Sequence, residues 1–200
     1  MGGIVVPFRG AGGKRRLVGL SGEDHERLQL AMFGDVLAAT TAVWRTVVVT
    51  ADAAGRAVAE AAGADVALDP GGGQGAAVAS ALALLPTTPA LIVNADLPCV
   101  EEQDLHALIA STPRDGLAVV PSEDGRTNAL GLAAPELFRP LYGPKSAERF
   151  LSSARELGVE AHALSIQNLA DDVDTHEDLE RLEHRVGPRT QAALRTLAAA

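Results

Sequence analysis

Residues 91–98 read LIVNADLP, a short branched apolar run followed by a polar exit that carries an aspartate and a proline. Such a run fits a strand buried on both faces, and strands of that kind belong to sheets covered by helices on both sides. Asp96 then stands where the buried strand opens into a loop. A second acidic segment, DDVDT at 171–175, precedes a helix-like stretch. Two such carboxylates brought together could hold a divalent cation against a phosphate chain, which suggests phosphoryl or nucleotidyl chemistry.

The rest of the chain alternates in the same manner. Strand patterns at 3–8, 46–50, 64–68, 116–121, 129–133 and 159–165 are separated by helix patterns at 24–41, 53–62, 74–85, 101–111 and 146–157, and Thr175 opens a further helix. The first helix carries Leu28, Met32 and Val36 on one face behind a capping pattern at 21–24. This order predicts an α/β domain with a mostly parallel sheet, helices on both faces, and ligands at the carboxyl ends of the strands.

With 200 residues, 47% of them apolar, one domain over 1–200 is expected, and the Ala-rich stretch 191–200 reads as a dispensable tail. One cysteine, Cys99, excludes an internal disulfide framework and reads as a small packing residue. The first residues are too soon interrupted by Pro7 and Arg9 for a secretory signal, and no apolar run reaches membrane-spanning length, so a cytoplasmic protein without a membrane partner is expected. A net charge of −9 argues against a nucleic-acid partner. Local positive charge is nevertheless present in RGAGGKRR at 9–16, where Arg9, Lys14, Arg15 and Arg16 lie in a glycine-rich turn behind the first strand, a composition suited to wrapping a polyphosphate.

The turn DPGGGQGAA at 69–77 admits a rival. Gly71, Gly73 and Ala76 follow a strand and open a helix in the spacing of a dinucleotide fingerprint, which keeps an NAD-dependent oxidoreductase in view, although the motif follows the third strand and leaves the basic loop and DDVDT without a role. Blander readings attach to single residues. Asp96 could cap a turn, Asp174 could serve a helix N-terminus with Thr175 as cap, and Ser146 and Thr127 could cap a helix and a turn. The five histidines show no zinc-ligand spacing.

VPFRGAGGKRRL, AMFGDVLAA, VVVTAD, DPGGGQGAA, VNADLPCV, RTNALGL, YGPKSAERF and DVDTHEDL occur in an order that resembles the 2-phospho-L-lactate or phosphoenolpyruvate guanylyltransferases of coenzyme F420 biosynthesis. The resemblance runs from about Ile4 to Leu182 and implies a Rossmann-like nucleotidyltransferase fold. It also implies transfer of GMP from GTP to phosphoenolpyruvate or 2-phospho-L-lactate, with Mg2+ as cofactor and pyrophosphate released. Carried over by position, it makes Lys14 and Arg16 catalytic toward the triphosphate and assigns Arg9, Lys14, Gly71 and Gly73 to the nucleotide. Thr127, Gly143 and Ser146 fall to the acceptor acid, and Asp96 and Asp174 to the metal, with Asp172 a competitor. A downstream transferase that takes the labile product is a further expected partner, and a homo-oligomer is an option the sequence leaves open. A sugar phosphate as acceptor, or a nucleotide-binding domain without turnover, are the alternatives. The chain departs from the family pattern at Arg9, where lysine is common, at Gly75, in place of the asparagine of Gly-Leu-Asn, at Arg126, in place of a glycine, and at Phe150, where histidine is often seen.

Overall fold

The computed structural model describes residues 2–10, 22–85 and 89–199. Lys14, Arg15, Arg16 and the capping pattern's Ser21 lie outside these residues. In chain order the elements are β1 (Gly3–Pro7), α1 (Gly22–Val43), β2 (Arg45–Thr50), α2 (Ala53–Ala61), β3 (Asp65–Leu68), α3 (Gln74–Leu82), β4 (Ala90–Val93) and α4 (Glu102–Ser111). They continue with β5 (Leu117–Pro121), β6 (Thr127–Leu132), α5 (Ser146–Glu156), β7 (Ala161–Ala163), α6 (Gln167–Ala170), α7 (His176–Leu182) and α8 (Pro188–Ala198).

The strands form one sheet in the order β3-β2-β1-β4-β6-β5-β7. Alternate residues of its buried strands point to opposite faces, as the pleat requires. Ile4, Val6, Val48, Leu91 and Val93 pack with Phe33, Val36 and Leu37 of α1 and Leu105 and Leu108 of α4. Val5, Val47, Val49 and Ile92 pack with Val78 and Ala81 of α3 and Phe150 and Ala154 of α5. Helices therefore cover both faces, as the buried strand patterns imply.

β6 runs antiparallel to both β4 and β5, whereas the other pairings are parallel. The reversal turns the beginning of a strand toward the carboxyl edge. In the register Val93↔Ala129, the start of β6 lies beside the end of β4, so Thr127 and Asn128 reach the same edge of the sheet from which Asp96 emerges.

Residues 191–198 do not trail into solvent but belong to α8, with Thr190 and Ala193 buried. Ala193, Leu194 and Leu197 pack in a small cluster with Leu28 and Met32 of α1, Cys99, and Leu179 and Leu182 of α7. Burial in this cluster pushes the Cys99 thiol up to about 11, which suits a packing residue. The device that starts α8 comes from α1: the buried Asp35 carboxylate accepts bonds from the Arg189 N–H (3.0 Å), the Thr190 N–H (2.8 Å) and the Thr190 hydroxyl (2.7 Å). It satisfies amides that a helix start leaves without intrahelical partners, a capping role played across 155 residues of sequence.

Asp35→Ala should strand these donors in a buried place, at about 1–3 kcal/mol for the unmet groups. Differential scanning calorimetry should show a midpoint lower by several degrees, at about 2–4 °C per kcal/mol for a chain of this size. Deleting residues 191–200 should lower it as well, whereas a truly dispensable tail would leave it unchanged.

Candidate functional site at the carboxyl edge of the sheet

A cleft of about 460 Å³ opens at the carboxyl ends of β1 and β4, lined by Phe8, Arg9 and Gly10 from the first strand's end, Gln29 and Met32 from α1, Gln74 from α3, and Asn94 and Asp96 beyond β4. The order of strands reverses between β1 and β4, so this cleft lies at the switch point where open α/β sheets bind ligands. The glycine turn at 71–73 instead follows the edge strand β3. A dinucleotide fingerprint belongs after the strand at the switch point, so the fold gives the oxidoreductase reading no support.

Phe8 holds the first strand's exit in place, its ring stacked on Phe33 with centroids 4.3 Å apart. Gly10 has φ 80° and sits so close to Asp52 that a Cβ there would lie 2.7 Å from its Oδ2. Asp52 in turn caps α2 through the Gly55 N–H. Gly10 therefore passes beside the cap of α2 with no room for a side chain. Arg9, exposed at this exit, is the described cation of the cleft wall.

Asp96, Asp172 and Asp174 each offer one carboxylate oxygen, and these three oxygens lie within 4.8 Å of one another. The expected pair is thus joined by the neighbour named as its competitor. Two segments far apart in sequence are joined at the main chain, where the Val173 N–H donates to the Asp96 carbonyl at 3.1 Å. Asn128, at the start of β6, donates to the Ala170 carbonyl (3.0 Å) and to Asp172 (3.2 Å). Thr175 caps α7 in a capping box with Asp178, whose carboxylate also accepts the Asp174 N–H at 3.1 Å. Partial burial works to raise the Asp178 carboxyl, but bonds from Thr175, Arg181 and two backbone amides outweigh it and hold the group below its ordinary range. Asp171 is taken up by Arg181 (2.8 Å) and Arg185 (2.7 Å), which keeps those guanidiniums on a carboxylate outside the triad. Every turn of this acidic segment is thereby tied to a helix or a strand.

The glycines at 71, 72 and 73 have φ of 81°, 82° and 94°, the left-handed region that glycine reaches without strain. The Gly71 N–H donates to Asp69 at 2.8 Å, and no atom lies within 4 Å of where a Cβ of Gly71 or Gly73 would stand, so conformation and not crowding requires glycine at these two places. Gly75 is different. A Cβ there would lie 2.6 Å from Cβ of Pro140, which accounts physically for the missing asparagine.

On the other flank, the hydroxyls of Thr127 and Ser146 are 3.0 Å apart and both residues are buried. Gly143, with φ 117°, places its carbonyl on the Ser146 N–H at 3.1 Å, and the Gly125 carbonyl receives the Ala147 N–H. Phe150 lies in the core against Phe138 and Tyr142, with centroids 6.2 and 5.5 Å away, so the place where histidine is often seen carries packing in this chain. Arg126 points away into an exposed ion pair with Asp124.

The structure thus brings Arg9, Asp96, Asp172 and Asp174 to one edge with Thr127 and Ser146 beside them, while Lys14 and Arg16 lie outside the described residues. Sequence reasoning passed over Asn94, Asn128 and Gln74. Their signal was present in part: an asparagine inside the apolar run TNALGL, buried at 3% exposure, must find a hydrogen-bond partner or suffer the cost of desolvation.

A family model described as guanylyl transferase CofC like matches residues 3–199. The chain belongs to this family. Among CofC-like relatives, the phosphoenolpyruvate guanylyltransferase of Conexibacter woesei is 36% identical over 203 residues, covering 96% of this chain and 90% of its own. That of Roseiflexus castenholzii is 35% identical over 178 residues, covering 87% and 83%. The fold recurs in solved structures of low identity. A Desulfovibrio desulfuricans protein assigned as a nucleotide-diphospho-sugar transferase superposes with TM-score 0.78 at 17% identity, over 99% of this chain and 95% of its own. CMP:2-keto-3-deoxy-manno-octonic acid synthetase, solved with CTP, gives 0.58 at 12% over 97% and 99%. Glucosyl-3-phosphoglycerate synthase of Mycobacterium tuberculosis, solved with Mn2+ and UDP, gives 0.60 at 14% over 99% and 78%.

Three carboxylate oxygens so close repel one another, and a divalent cation would offset that repulsion. Mn2+ or Mg2+ should therefore raise the thermal midpoint of the wild type by binding the folded state. In Asp96→Asn the metal-dependent rise should be lost; a rise equal to wild type would place the cation elsewhere.

Proposed function

We propose that this chain transfers GMP from GTP to phosphoenolpyruvate, releasing pyrophosphate, as the step of coenzyme F420 biosynthesis carried out by relatives of that name. The observation that carries the reading is the acidic triad at the switch-point cleft with the hydroxyl pair Thr127–Ser146 beside it, in a chain matched by the family from residue 3 to 199.

Asp96, Asp172 and Asp174 are the residues that would hold Mg2+, and the donor set fits, since hard oxygen ligands suit that ion. Bound there, the ion supplies charge neutralisation to the reacting phosphates. The chain's own part is positioning. An oxygen of the acceptor's phosphate attacks the α-phosphorus of GTP as the bond from that phosphorus to the bridging oxygen breaks, and pyrophosphate departs with the bonding electrons. No protein base is required, because the acceptor phosphate is an anion at neutral pH, so orientation and electrostatics account for the rate. Arg9 in the cleft wall, with Lys14 and Arg16 of the same loop, meets the charge that grows on the leaving group. Gly71 and Gly73 give the nucleotide access to backbone. Thr127 and Ser146 already form a hydrogen bond with each other, and the acceptor's carboxylate replaces one hydroxyl as the partner of the other, helped by the turn at Gly143.

Continuous pyrophosphate release over a panel of nucleotides and acceptors tests the reading, with the next transferase present to remove the labile product. GTP with phosphoenolpyruvate should be fastest; release with a sugar phosphate and neither acid would overturn the acceptor. Lys14→Ala should lower kcat by about ten- to a thousandfold, the range for loss of a group that stabilises developing charge, with Arg15→Ala as the milder control. Ser146→Ala should raise the acceptor KM, since a charge-assisted hydrogen bond contributes about 1.5–3 kcal/mol.

A further inference from the structure

Gln74 and Asn94 line the cleft as a hydrogen-bonded amide pair whose polarity is fixed by the main chain. The Thr127 carbonyl can only accept, so Asn94 turns Nδ2 toward it at 3.1 Å and presents Oδ1 on its other side. That oxygen can only accept, so Gln74 must give it Nε2, at 2.8 Å. Among the described residues, no donor bonds to the remaining Gln74 Oε1, and Gln74 lines the cleft with Arg9, Asn94 and Asp96. A glutamine free to flip offers donor or acceptor alike and cannot discriminate. One whose nitrogen is committed to Asn94 cannot flip, so its Oε1 is held as an acceptor on the side turned away from Asn94, with only the second N–H of the amide beside it.

An acceptor oxygen is repelled by phosphate oxygens, so it must meet a donor-bearing part of the nucleotide. We propose that Gln74 selects the base: Oε1 accepts from the N1–H and 2-amino edge of guanine. Adenine carries an acceptor at N1 and no amino group at C2, and therefore sets a lone pair against Oε1. The position suits this role, because Gln74 is the first residue of α3, directly after the turn at 71–73, and Gly75 beside it has no room for a polar side chain. Thr127 thereby serves both flanks of the cleft, its carbonyl orienting the amide pair while its hydroxyl bonds Ser146. The inference rests on the guanylyl-transfer reading.

The test compares the full-length wild type with Gln74→Met, which keeps the length of the side chain and removes its hydrogen bonding, and with Gln74→Leu as a second apolar variant. Pyrophosphate release with phosphoenolpyruvate gives kcat/KM for GTP, ATP, 2′-deoxy-GTP and 3′-deoxy-GTP, and calorimetry gives the binding constants for GTP and ATP. The expected result is a fall of about tenfold or more in the preference for GTP over ATP in both variants, carried in binding and KM, because a polar contact left unmatched discriminates strongly. The two deoxy nucleotides should show the same penalty as GTP. An unchanged GTP-to-ATP ratio, an equal fall for every triphosphate, or a penalty that vanishes with a deoxy nucleotide would each overturn the assignment, the last by placing the contact on the ribose. Failure of the guanylyl-transfer reading is distinguishable, since it would appear in the wild type alone as no preference for GTP.

Discussion

A main-chain bond, from the Val173 N–H to the Asp96 carbonyl, joins the two acidic segments on which the site depends. Like charges would otherwise drive these segments apart. Backbone pairing holds them in register without engaging a carboxylate, and the capping box at Thr175 and the arginines on Asp171 finish the restraint from behind. The acidic loop is therefore held for reasons separate from any ion it could hold, a form of preorganisation in which main-chain bonds carry much of the restraint and Asn128 steadies the Asp172 carboxylate.

The reversed strand β6 is the second constraint. In an all-parallel sheet the start of a strand lies at the edge opposite the site. Because β6 runs the other way between β4 and β5, its first residues arrive at the carboxyl edge, and Asn128 and Thr127 can bond to Asp172 and Asn94. A buried sheet interior thus delivers polar side chains to the cleft without a long loop.

This reversal is also where the sequence stops being legible. Apolar runs disclosed the central strands, because burial on both faces leaves a mark in each of them, and Asp96 stood out because a carboxylate directly after such a run needs a reason. The pattern TNALGL says strand, but nothing in it says which way the strand runs. The helix α8 was missed for a related cause: its cap is Asp35 on α1, so its start carries no local capping side chain and is marked in sequence by Pro188 at its first position, and its alanines resemble a tail until Leu28 and Met32 are seen against them. The glycines at 71 and 73 were legible as a turn, whereas the use of Gln74 depends on Asn94, which is a neighbour only in the folded chain.

The tight contact of Gly75 with Pro140 has a consequence for how such a chain can vary. A side chain at 75 and a proline at 140 exclude each other, so drift at either place is gated by the other. An asparagine can return only along a path that first loosens the segment around Pro140, and that segment carries Phe138 into the core packed on Phe150. A chimera that brought a side chain to position 75 while keeping Pro140 would therefore carry an incompatible contact.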